Sequence, residues 1–300
     1  MCFVSLIFFS QNSFAEWKSV GNVTQILEQK ANYAILQTSV GAKLRVEFFD
    51  INVVRIRLAP DGNFETLPDY AIDFSKERPP PIVKVLQTKE KIVLTNSFGA
   101  KVEIHKMPLT VTVFDENGEI IVDDARTMSF ESQTGEISAT KARKSLTETY
   151  YGFGEKALPF SRDGQVMTNW NTDTYRYSLG TDPLYQSIPF FIALNQGKSY
   201  GLFFNNTFRT TFDMGKTAPD KFTFSSAGGE LDYFVFTGGR QRTPKKILED
   251  YANLTGKTPL PPIWALGNQQ SRFSYFPESR VREIADGFRS RKIPCDVIYI

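Results

Sequence analysis

The chain has 300 residues, of which 41% are hydrophobic, enough for a large buried core. Its 35 basic and 33 acidic side chains leave a formal net charge of +2, from which no basic face for nucleic acid follows, and no nucleic-acid partner is expected. Cys2 and Cys295 are its two cysteines, so the sequence excludes a disulfide framework and a cysteine-based zinc site.

The N-terminus resembles the end of a secretory signal peptide. A short apolar run at residues 3–9 is followed by polar residues and by the small-residue site Ser13-Phe14-Ala15. No Lys or Arg precedes the run, which is also too short to span a bilayer. We therefore predict that residues 1–16 are a signal-peptide-like segment with an incomplete start, and that the protein is secreted or periplasmic. A disordered or strand-forming N-terminus is the alternative.

Residues 17–258 have a hydrophobic period close to two, which predicts a β-sandwich domain. Alternating apolar residues at 44–48 and 54–58 flank the bend Asp50-Ile51-Asn52, as in a hairpin. A second turn contains Asn117-Gly118, which favours the positive φ angles of tight turns. The same pattern predicts strands at 92–95, 101–104, 109–114, 119–122, 199–204, 221–225 and 231–236. So many short strands indicate a large antiparallel sandwich.

A helix is predicted to follow the last of these strands. Thr243-Pro244 has the residue types of an N-cap and a first helical turn, and apolar residues continue through Ile247, Leu248 and Tyr251. Gly256 ends this helix, and the proline-rich residues 258–262 are predicted to link two domains.

Residues 259–300 have a different pattern, which predicts a strand, a helix and a strand. Ile263 to Leu266 is predicted to be a buried strand, and Pro294 to Ile300 a second one. Between them, Pro277 to Lys292 is predicted to be a helix with one apolar face, formed by Val281, Ile284, Ala285 and Phe288. This order is typical of the first β-α-β unit of a parallel sheet.

Two parallel strands cannot cover both of their own faces, and a complete (β/α)₈ barrel takes roughly 250 residues. Only 42 residues follow Thr258. We therefore expect residues 259–300 to be the start of an incomplete catalytic (β/α)₈ barrel, and the chain to be the N-terminal piece of a longer protein.

Five segments, in this order, resemble glycoside hydrolase family 31, which contains α-glucosidases and α-xylosidases. They are residues 151–155 (YGFGE), 184–190 (LYQSIPF), 199–203 (SYGLF), 231–234 (LDYF) and 264–275 (WALGNQQSRFSY). The resemblance implies a mainly β fold, in which a galactose-mutarotase-like sandwich precedes a (β/α)₈ barrel. It also implies a retaining mechanism with two barrel aspartates, an α-linked oligosaccharide or glycoside as substrate, and no cofactor or metal.

By the family pattern, both catalytic aspartates are expected beyond Ile300. An aspartate that binds the non-reducing sugar is expected directly after Val297-Ile298-Tyr299-Ile300, at the end of the second barrel strand. We therefore assign no catalytic residue within this chain and expect the 300-residue chain to be inactive. The sugar, the linkage, the choice between hydrolysis and glycosyl transfer, and the oligomeric state stay open.

Substrate-binding residues are predicted in one loop. In the family, a long loop of the sandwich folds over the barrel mouth, and residues 169–175 (NWNTDTY) match its Asn-x-Asp-Thr pattern. The resemblance assigns Asp173 to hydrogen bonds with two neighbouring sugar hydroxyls, and Trp170 and Tyr175 to stacking on a sugar ring. The alternative is that Asn171, Thr172 and Asp173 form ordinary turns in a solvated loop.

Two other functions are compatible with a sandwich of this kind. Sugar mutarotases of similar fold open a hemiacetal with a histidine acid and a glutamate base, but His105 is the single histidine here and has no companion. A non-catalytic carbohydrate-binding or scaffolding module is the stronger alternative to the enzyme.

Overall fold

The computed structural model of the chain describes residues 16–65, 69–75 and 79–300. The predicted signal-like segment lies outside the described residues, except for Glu16. Two compact units are present, one ending at Thr255 and the other running from Gly256 to Ile300. Within the described residues, every helix is too short or too polar to cross a membrane.

The first unit consists mainly of short strands. In chain order they are β1 (Trp17–Ser19), β2 (Val23–Gln29), β3 (Tyr33–Thr38), β4 (Lys43–Asp50), β5 (Val53–Ala59), β6 (Val83–Gln87), β7 (Lys91–Asn96), β8 (Lys101–Lys106), β9 (Leu109–Phe114), β10 (Ile120–Asp123), β11 (Ser129–Glu131), β12 (Ile137–Ala142), β13 (Thr149–Gly154), β14 (Val166–Asn169), β15 (Ser187–Asn195), β16 (Lys198–Phe204), β17 (Thr210–Asp213), β18 (Lys221–Ser226) and β19 (Leu231–Phe236).

These strands form three antiparallel sheets. The eight-stranded sheet has the order β13-β15-β16-β19-β5-β4-β3-β2, the six-stranded sheet β1-β11-β12-β18-β17-β14, and the five-stranded sheet β10-β9-β8-β7-β6. The predicted mainly β fold with antiparallel sheets is confirmed, and so are the predicted hairpins, since β4 pairs with β5, β7 with β8, and β9 with β10.

One large core joins the three sheets. It contains Ile56 of the eight-stranded sheet, Val102 of the five-stranded sheet and Phe224 of the six-stranded sheet. A smaller apolar layer covers the opposite face of the eight-stranded sheet, where Phe234 and Phe236 pack with the helix described next. The alternating burial of a half-buried strand therefore gives way to continuous burial in β19, because both of its faces are covered.

Helix α1 (Pro244–Thr255) supplies that cover. It begins as predicted, because the backbone N–H of Lys246 donates to Thr243 Oγ1 at 3.2 Å. Ile247 and Leu254 are buried in the smaller apolar layer, and the Tyr251 ring stacks on Phe190 with centroids 4.0 Å apart. Helix α1 thus packs on the outer face of the eight-stranded sheet.

A buried ion pair joins β5 to β19 on that outer face. Arg55 Nε and Nη2 donate to the Asp232 carboxylate at 2.9 and 2.6 Å, and Nη2 also donates to Asp69 at 2.8 Å. Burial alone would lower the pKa of Arg55, but the hydrogen bonds and charges of Asp232 and Asp69 raise it instead. Arg55 therefore stays charged.

The second unit contains the predicted β-α-β order with different boundaries. Helix α2 (Glu278–Ser290) lies within the predicted range, and its predicted apolar face is half-buried. Strands β20 (Gln269–Gln270) and β21 (Val297–Ile298) pair in parallel, as in the start of a barrel.

The prediction of a buried strand at Ile263 to Leu266 is wrong. These residues form a 3-10 helix, Ile263–Leu266, and the side chains of Ile263 and Leu266 are 88% and 69% exposed. Strand β20 begins three residues later, and Val297 and Ile298 of its partner β21 are half-buried where full burial was predicted. An apolar run of four residues does not by itself distinguish a strand from a helical turn.

Candidate functional site

The predicted substrate-binding residues lie in the loop 170–186, which connects β14 to β15. The loop is held at its far end by Asp182, whose Oδ1 accepts a hydrogen bond from Lys156 Nζ at 2.8 Å. Asp182 Oδ2 accepts from the backbone N–H of Thr168 in β14 at 2.5 Å, and Lys156 Nζ also donates to the carbonyl oxygen of Thr168. Both carboxylate oxygens of Asp182 therefore fasten the loop to the end of β14.

Hydrogen bonds within the loop fix its course. The backbone N–H of Thr172 donates to the Leu184 carbonyl at 2.9 Å, and Ser187 N–H donates to Asn171 Oδ1 at 2.8 Å. Tyr185 OH donates to the Thr174 carbonyl at 2.5 Å. The loop is therefore folded back on itself, and the hydrogen bonds of Asn171 and Thr172 join its beginning to its end.

Asp173 lies on the exposed side of this loop. Its carboxylate makes no hydrogen bond or ion pair with the described residues, and its oxygens are free to accept from a ligand. Partial burial raises the pKa of Tyr185, and the negative charges of Asp173 and Glu155 raise it further. Asp173 therefore lies in the electrostatic surroundings of Tyr185, whose ring also contacts Tyr177 with centroids 6.1 Å apart.

The two aromatic candidates have different surroundings. Tyr175 is exposed, and the Arg176 guanidinium lies 5.1 Å from its ring centroid. Trp170 instead lines a cavity of about 590 Å³ in the first unit, and neither Asp173 nor Tyr175 is among its lining residues. The structure thus places Asp173 within electrostatic reach of Tyr185, which sequence reasoning did not select, and it places Trp170 at a separate cavity.

That cavity carries no charged side chain. Its aromatic lining includes Trp170, Phe208 and Tyr251, and its polar lining consists of amides and hydroxyls. The orientation of the Asn205 amide in this lining is fixed, because its Nδ2 donates to Asp69 at 2.8 Å and to Asp232 at 2.7 Å. The buried ion pair of Arg55 and Asp232 therefore also positions part of the cavity wall.

Sequence reasoning missed the residues that hold the loop. Lys156 and Asp182 are 26 residues apart, and no periodic pattern pairs them. The role of Gly154 was also missed. It has φ +76°, and a Cβ placed there would lie 2.5 Å from the Gln186 carbonyl oxygen at the end of the loop. The glycine pair flanking Phe153 was the available signal, because such glycines mark close backbone approach.

Other candidate sites are weaker. His105 is exposed on β8, opposite Thr110 of β9. In the described ranges 16–65, 69–75 and 79–300, no three His, Cys, Asp or Glu side chains are arranged to hold a metal ion.

The chain matches two family models in sequence order. Residues 43–213 match the glycosyl hydrolase 31 N-terminal galactose mutarotase-like domain, and residues 258–300 match the family 31 TIM-barrel domain.

Three relatives illustrate the similarity. The chain is 42% identical over 259 residues to alpha-glucosidase 2 of Bacillus thermoamyloliquefaciens, which covers 86% of this chain and 32% of that protein. It is 28% identical over 254 residues to the alpha-xylosidase XylQ of Lactiplantibacillus pentosus, and this match covers 83% of this chain and 32% of that protein. A family 31 dextranase of Flavobacterium johnsoniae, solved with glucose, superposes with a TM-score of 0.81 at 32% identity over 94% of this chain and 34% of that one. The chain thus spans about a third of the length of these relatives.

Proposed function

Because the chain belongs to glycoside hydrolase family 31, we propose that it is the N-terminal part of a retaining α-glycosidase that hydrolyses terminal α-glucosidic or related bonds. The observation that carries the proposal is the order of the two family domains, a sandwich at 43–213 followed by the start of a barrel at 258–300. The names of the relatives, alpha-glucosidase and alpha-xylosidase, support α-glycosides as the substrate class.

In this proposal the barrel supplies the reacting groups and the sandwich supplies a binding loop. A retaining glycosidase needs two carboxyl groups about 5 to 5.5 Å apart, one to attack the anomeric carbon and one to protonate the leaving oxygen. We assign both groups to the barrel domain and none to residues 1–300. The 300-residue chain is then expected to be inactive by itself.

Asp173 is proposed to bind substrate hydroxyls without joining bond cleavage. Its exposed carboxylate has no partner among the described residues, and a carboxylate accepts two hydroxyl hydrogen bonds strongly when it keeps its charge. The loop that carries it is fixed by Lys156 and Asp182, so little ordering entropy would be lost on binding. Tyr175 is proposed as a weaker contact on the same loop, and Trp170 as a sugar-stacking surface in the separate cavity that it lines.

The proposed location is secreted or periplasmic. Support comes from the apolar run at residues 3–9 and the Ser13-Phe14-Ala15 site that follows it.

The experiment uses the longer protein that contains this sequence beside the 300-residue chain. We expect the longer protein to hydrolyse maltose, isomaltose or p-nitrophenyl α-glucoside, with the α-anomer as the first product in proton NMR, and the 300-residue chain to release no glucose. Turnover by the 300-residue chain would contradict our placement of the carboxylates. A first product of β configuration would contradict the retaining mechanism.

A non-catalytic carbohydrate-binding module is the second candidate. It is favoured by the exposed aromatic rings of Trp170 and Tyr175 on the loop that bears the unpaired Asp173 carboxylate. If the longer protein binds α-glucans but hydrolyses neither α-glucosides nor α-xylosides, the module explains the sandwich better than the enzyme does.

A further inference from the structure

Two polar side chains lie on the interior face of the six-stranded sheet, where apolar ones are expected. In β14, Met167 is buried in the core, and Asn169, two residues later, shares its face. In β17, Phe212 is buried in the core, and Thr210, two residues earlier, shares its face. Asn169 and Thr210 are direct partners in the β14 and β17 register. On the core-facing side of β14 and β17, the last pair of opposite residues is therefore polar, Asn169 and Thr210.

These polar groups are buried and unpaired. Asn169 is 4% exposed, and neither its Oδ1 nor its Nδ2 has a hydrogen-bond partner among the described residues. Thr210 Oγ1 and Ser187 Oγ are likewise buried without a partner. Buried polar atoms are nearly always hydrogen-bonded, because leaving them unpaired costs free energy. Three such side chains in one place require an explanation.

Neighbouring amides show what satisfied groups look like in this region. Asn206 donates through Nδ2 to the carbonyls of Gly228 and Glu230, both at 3.0 Å, and its Oδ1 accepts from the Phe208 N–H at 2.8 Å. Asn171 Oδ1 accepts from Ser187 N–H. The amides of Asn206 and Asn171 are therefore hydrogen-bonded within the protein, whereas the Asn169 amide is not.

All three unpaired side chains line the same uncharged cavity of about 590 Å³, which also contains Trp170 and Phe208. A carboxamide offers two donors and one acceptor, and each hydroxyl offers one donor and accepts as well. With no charged side chain in the lining, the cavity cannot match a phosphate, a carboxylate or an ammonium group by charge. Its complement is a neutral molecule with several hydroxyls on one side and an apolar face on another, and its volume lies within the usual range for ligand sites.

We propose that this cavity binds one uncharged pyranose unit of a saccharide, with Asn169, Thr210 and Ser187 hydrogen-bonded to its hydroxyls and Trp170 packed against the ring. The site goes beyond the proposed function, since the sugar bound here does not react and the side chain of Asp173 lies outside the lining. The sandwich would then hold a sugar independently of the barrel.

The test is equilibrium binding of a sugar to the 300-residue chain, measured by titration calorimetry and by Trp fluorescence. Methyl α-D-glucopyranoside is the probe, and glucose 6-phosphate is its charged counterpart. We expect saturable binding of the methyl glucoside with a dissociation constant in the millimolar range, as for roughly 4 kcal/mol of binding free energy. The phosphate ester should bind at least about tenfold more weakly, because its charge has no partner in the lining.

Three variants identify the site. Asn169→Leu should weaken binding about three- to tenfold, while the melting temperature stays equal or rises because the variant breaks no hydrogen bond within the protein. Thr210→Val, which removes a hydroxyl at nearly constant volume, should act in the same direction and decides the matter if Asn169→Leu fails to fold. Trp170→Leu should also weaken binding. Its matched control is Trp17→Leu, since Trp17 is 45% exposed against 48% for Trp170 and lies outside the cavity.

The proposal is overturned if the methyl glucoside shows no saturable binding, if glucose 6-phosphate binds equally well, or if Asn169→Leu and Thr210→Val bind like the wild type. An equal loss in Trp17→Leu and Trp170→Leu would also overturn it. Because the readout is binding to a chain expected not to hydrolyse sugars, its failure leaves the proposed glycosidase activity of the longer protein untouched.

Discussion

Lys156 Nζ lies 2.8 Å from Asp182 Oδ1, and this ion pair fastens the loop that carries Asp173 to the end of β14. The Lys156 side chain is completely buried, and Asp182 is nearly so. Since Lys156 also donates to the Thr168 carbonyl, one ammonium group joins the strand before the loop to the loop's last residues. The position of the candidate substrate loop therefore depends on a buried cation.

Replacing Lys156 by Met should destabilise the fold and loosen the loop. The substitution leaves the Asp182 carboxylate buried with one backbone hydrogen bond, and breaking a buried pair in this way typically costs about 3 to 5 kcal/mol. Urea unfolding of Lys156→Met against the wild type measures this loss. The control is Lys198→Met, whose ion pair with Glu119 is half-exposed and should contribute under about 1 kcal/mol. Equal losses in the two variants would contradict a special role for Lys156.

Gly154→Ala should be more destabilising than Gly197→Ala. The two glycines have nearly equal φ angles, +76° and +78°, so the strain of an alanine in this backbone conformation is similar at both. A Cβ at Gly154 would lie 2.5 Å from the Gln186 carbonyl oxygen, whereas nothing lies within 4 Å at Gly197. We expect about 1 kcal/mol for Gly197→Ala and at least about 2 kcal/mol more for Gly154→Ala. Equal urea unfolding midpoints for the two variants would show that the backbone around Gln186 moves away from the new Cβ without loss of stability.

Glu131 should make stability depend on pH in the acid range. Its carboxylate accepts from the backbone N–H of Thr134 at 2.5 Å and also from Gln133 and Glu16 at 2.9 Å, and these bonds lower the pKa of Glu131 to about 2. A lowered folded-state pKa stabilises the fold above the ordinary value of 4.5, and this stabilisation is lost as the pH falls toward 2.

The measurement is the melting temperature from about pH 7 down to about pH 2. Glu131→Gln should lower the melting temperature at neutral pH and flatten its fall between about pH 5 and pH 2. Glu136→Gln, on the same hairpin, removes a charge without removing those turn bonds and should keep the wild-type slope. A Glu131→Gln curve parallel to the wild type would contradict the assignment.

Asp173→Asn should impair the longer protein without abolishing its activity. Losing charge-assisted hydrogen bonds to sugar hydroxyls typically costs about 1.5 to 3 kcal/mol, which corresponds to roughly a ten- to hundredfold lower kcat/KM. Stability should not change, because the carboxylate is exposed and has no partner among the described residues. The test is α-glucoside hydrolysis by both proteins. Unchanged kinetics would favour a solvated turn, and total loss in a folded variant would assign Asp173 a larger role.

The 300-residue chain should associate more than a version ending at Thr258. Apolar side chains of the second unit are exposed, including Leu260, Ile263, Phe273 and Phe276, and the two-residue strands β20 and β21 leave backbone edges unpaired. Light scattering at equal concentration measures the difference. A triple variant with serine at Ile263, Phe273 and Phe276 should scatter less than the unaltered chain, and no reduction would rule out these side chains as the cause.

Much of the sandwich was predictable because each half-buried strand repeats one physical rule. Alternation at Leu44, Val46 and Phe48 reports a sheet with one face in a core, and the structure confirms it. The rule failed at Ile263 to Leu266, where four apolar residues form a 3-10 helix with exposed side chains. Burial in a parallel strand depends on neighbouring strands, which a local pattern does not contain.

The candidate site was predictable only in part. The segment 169–175 identified the loop through its resemblance to a family pattern, and that reasoning selected Asp173. The anchor formed by Lys156 and Asp182 is tertiary and has no local signature. Asn169 had one available signal, a polar residue two positions after the inward-facing Met167, but the strand boundary needed to interpret it came from the structure.

Because β19 has large apolar side chains on both of its faces, hydrophobic burial alone selects its register only weakly. Shifting Leu231–Phe236 by one residue would exchange one row of large apolar side chains for another. The same shift would turn the Asp232 side chain into the main core. It would leave Arg55 on the outer face without its closest partner. A single-residue insertion in this strand should therefore be lethal to the fold through misplaced charge, even where the inserted residue is as hydrophobic as its neighbours.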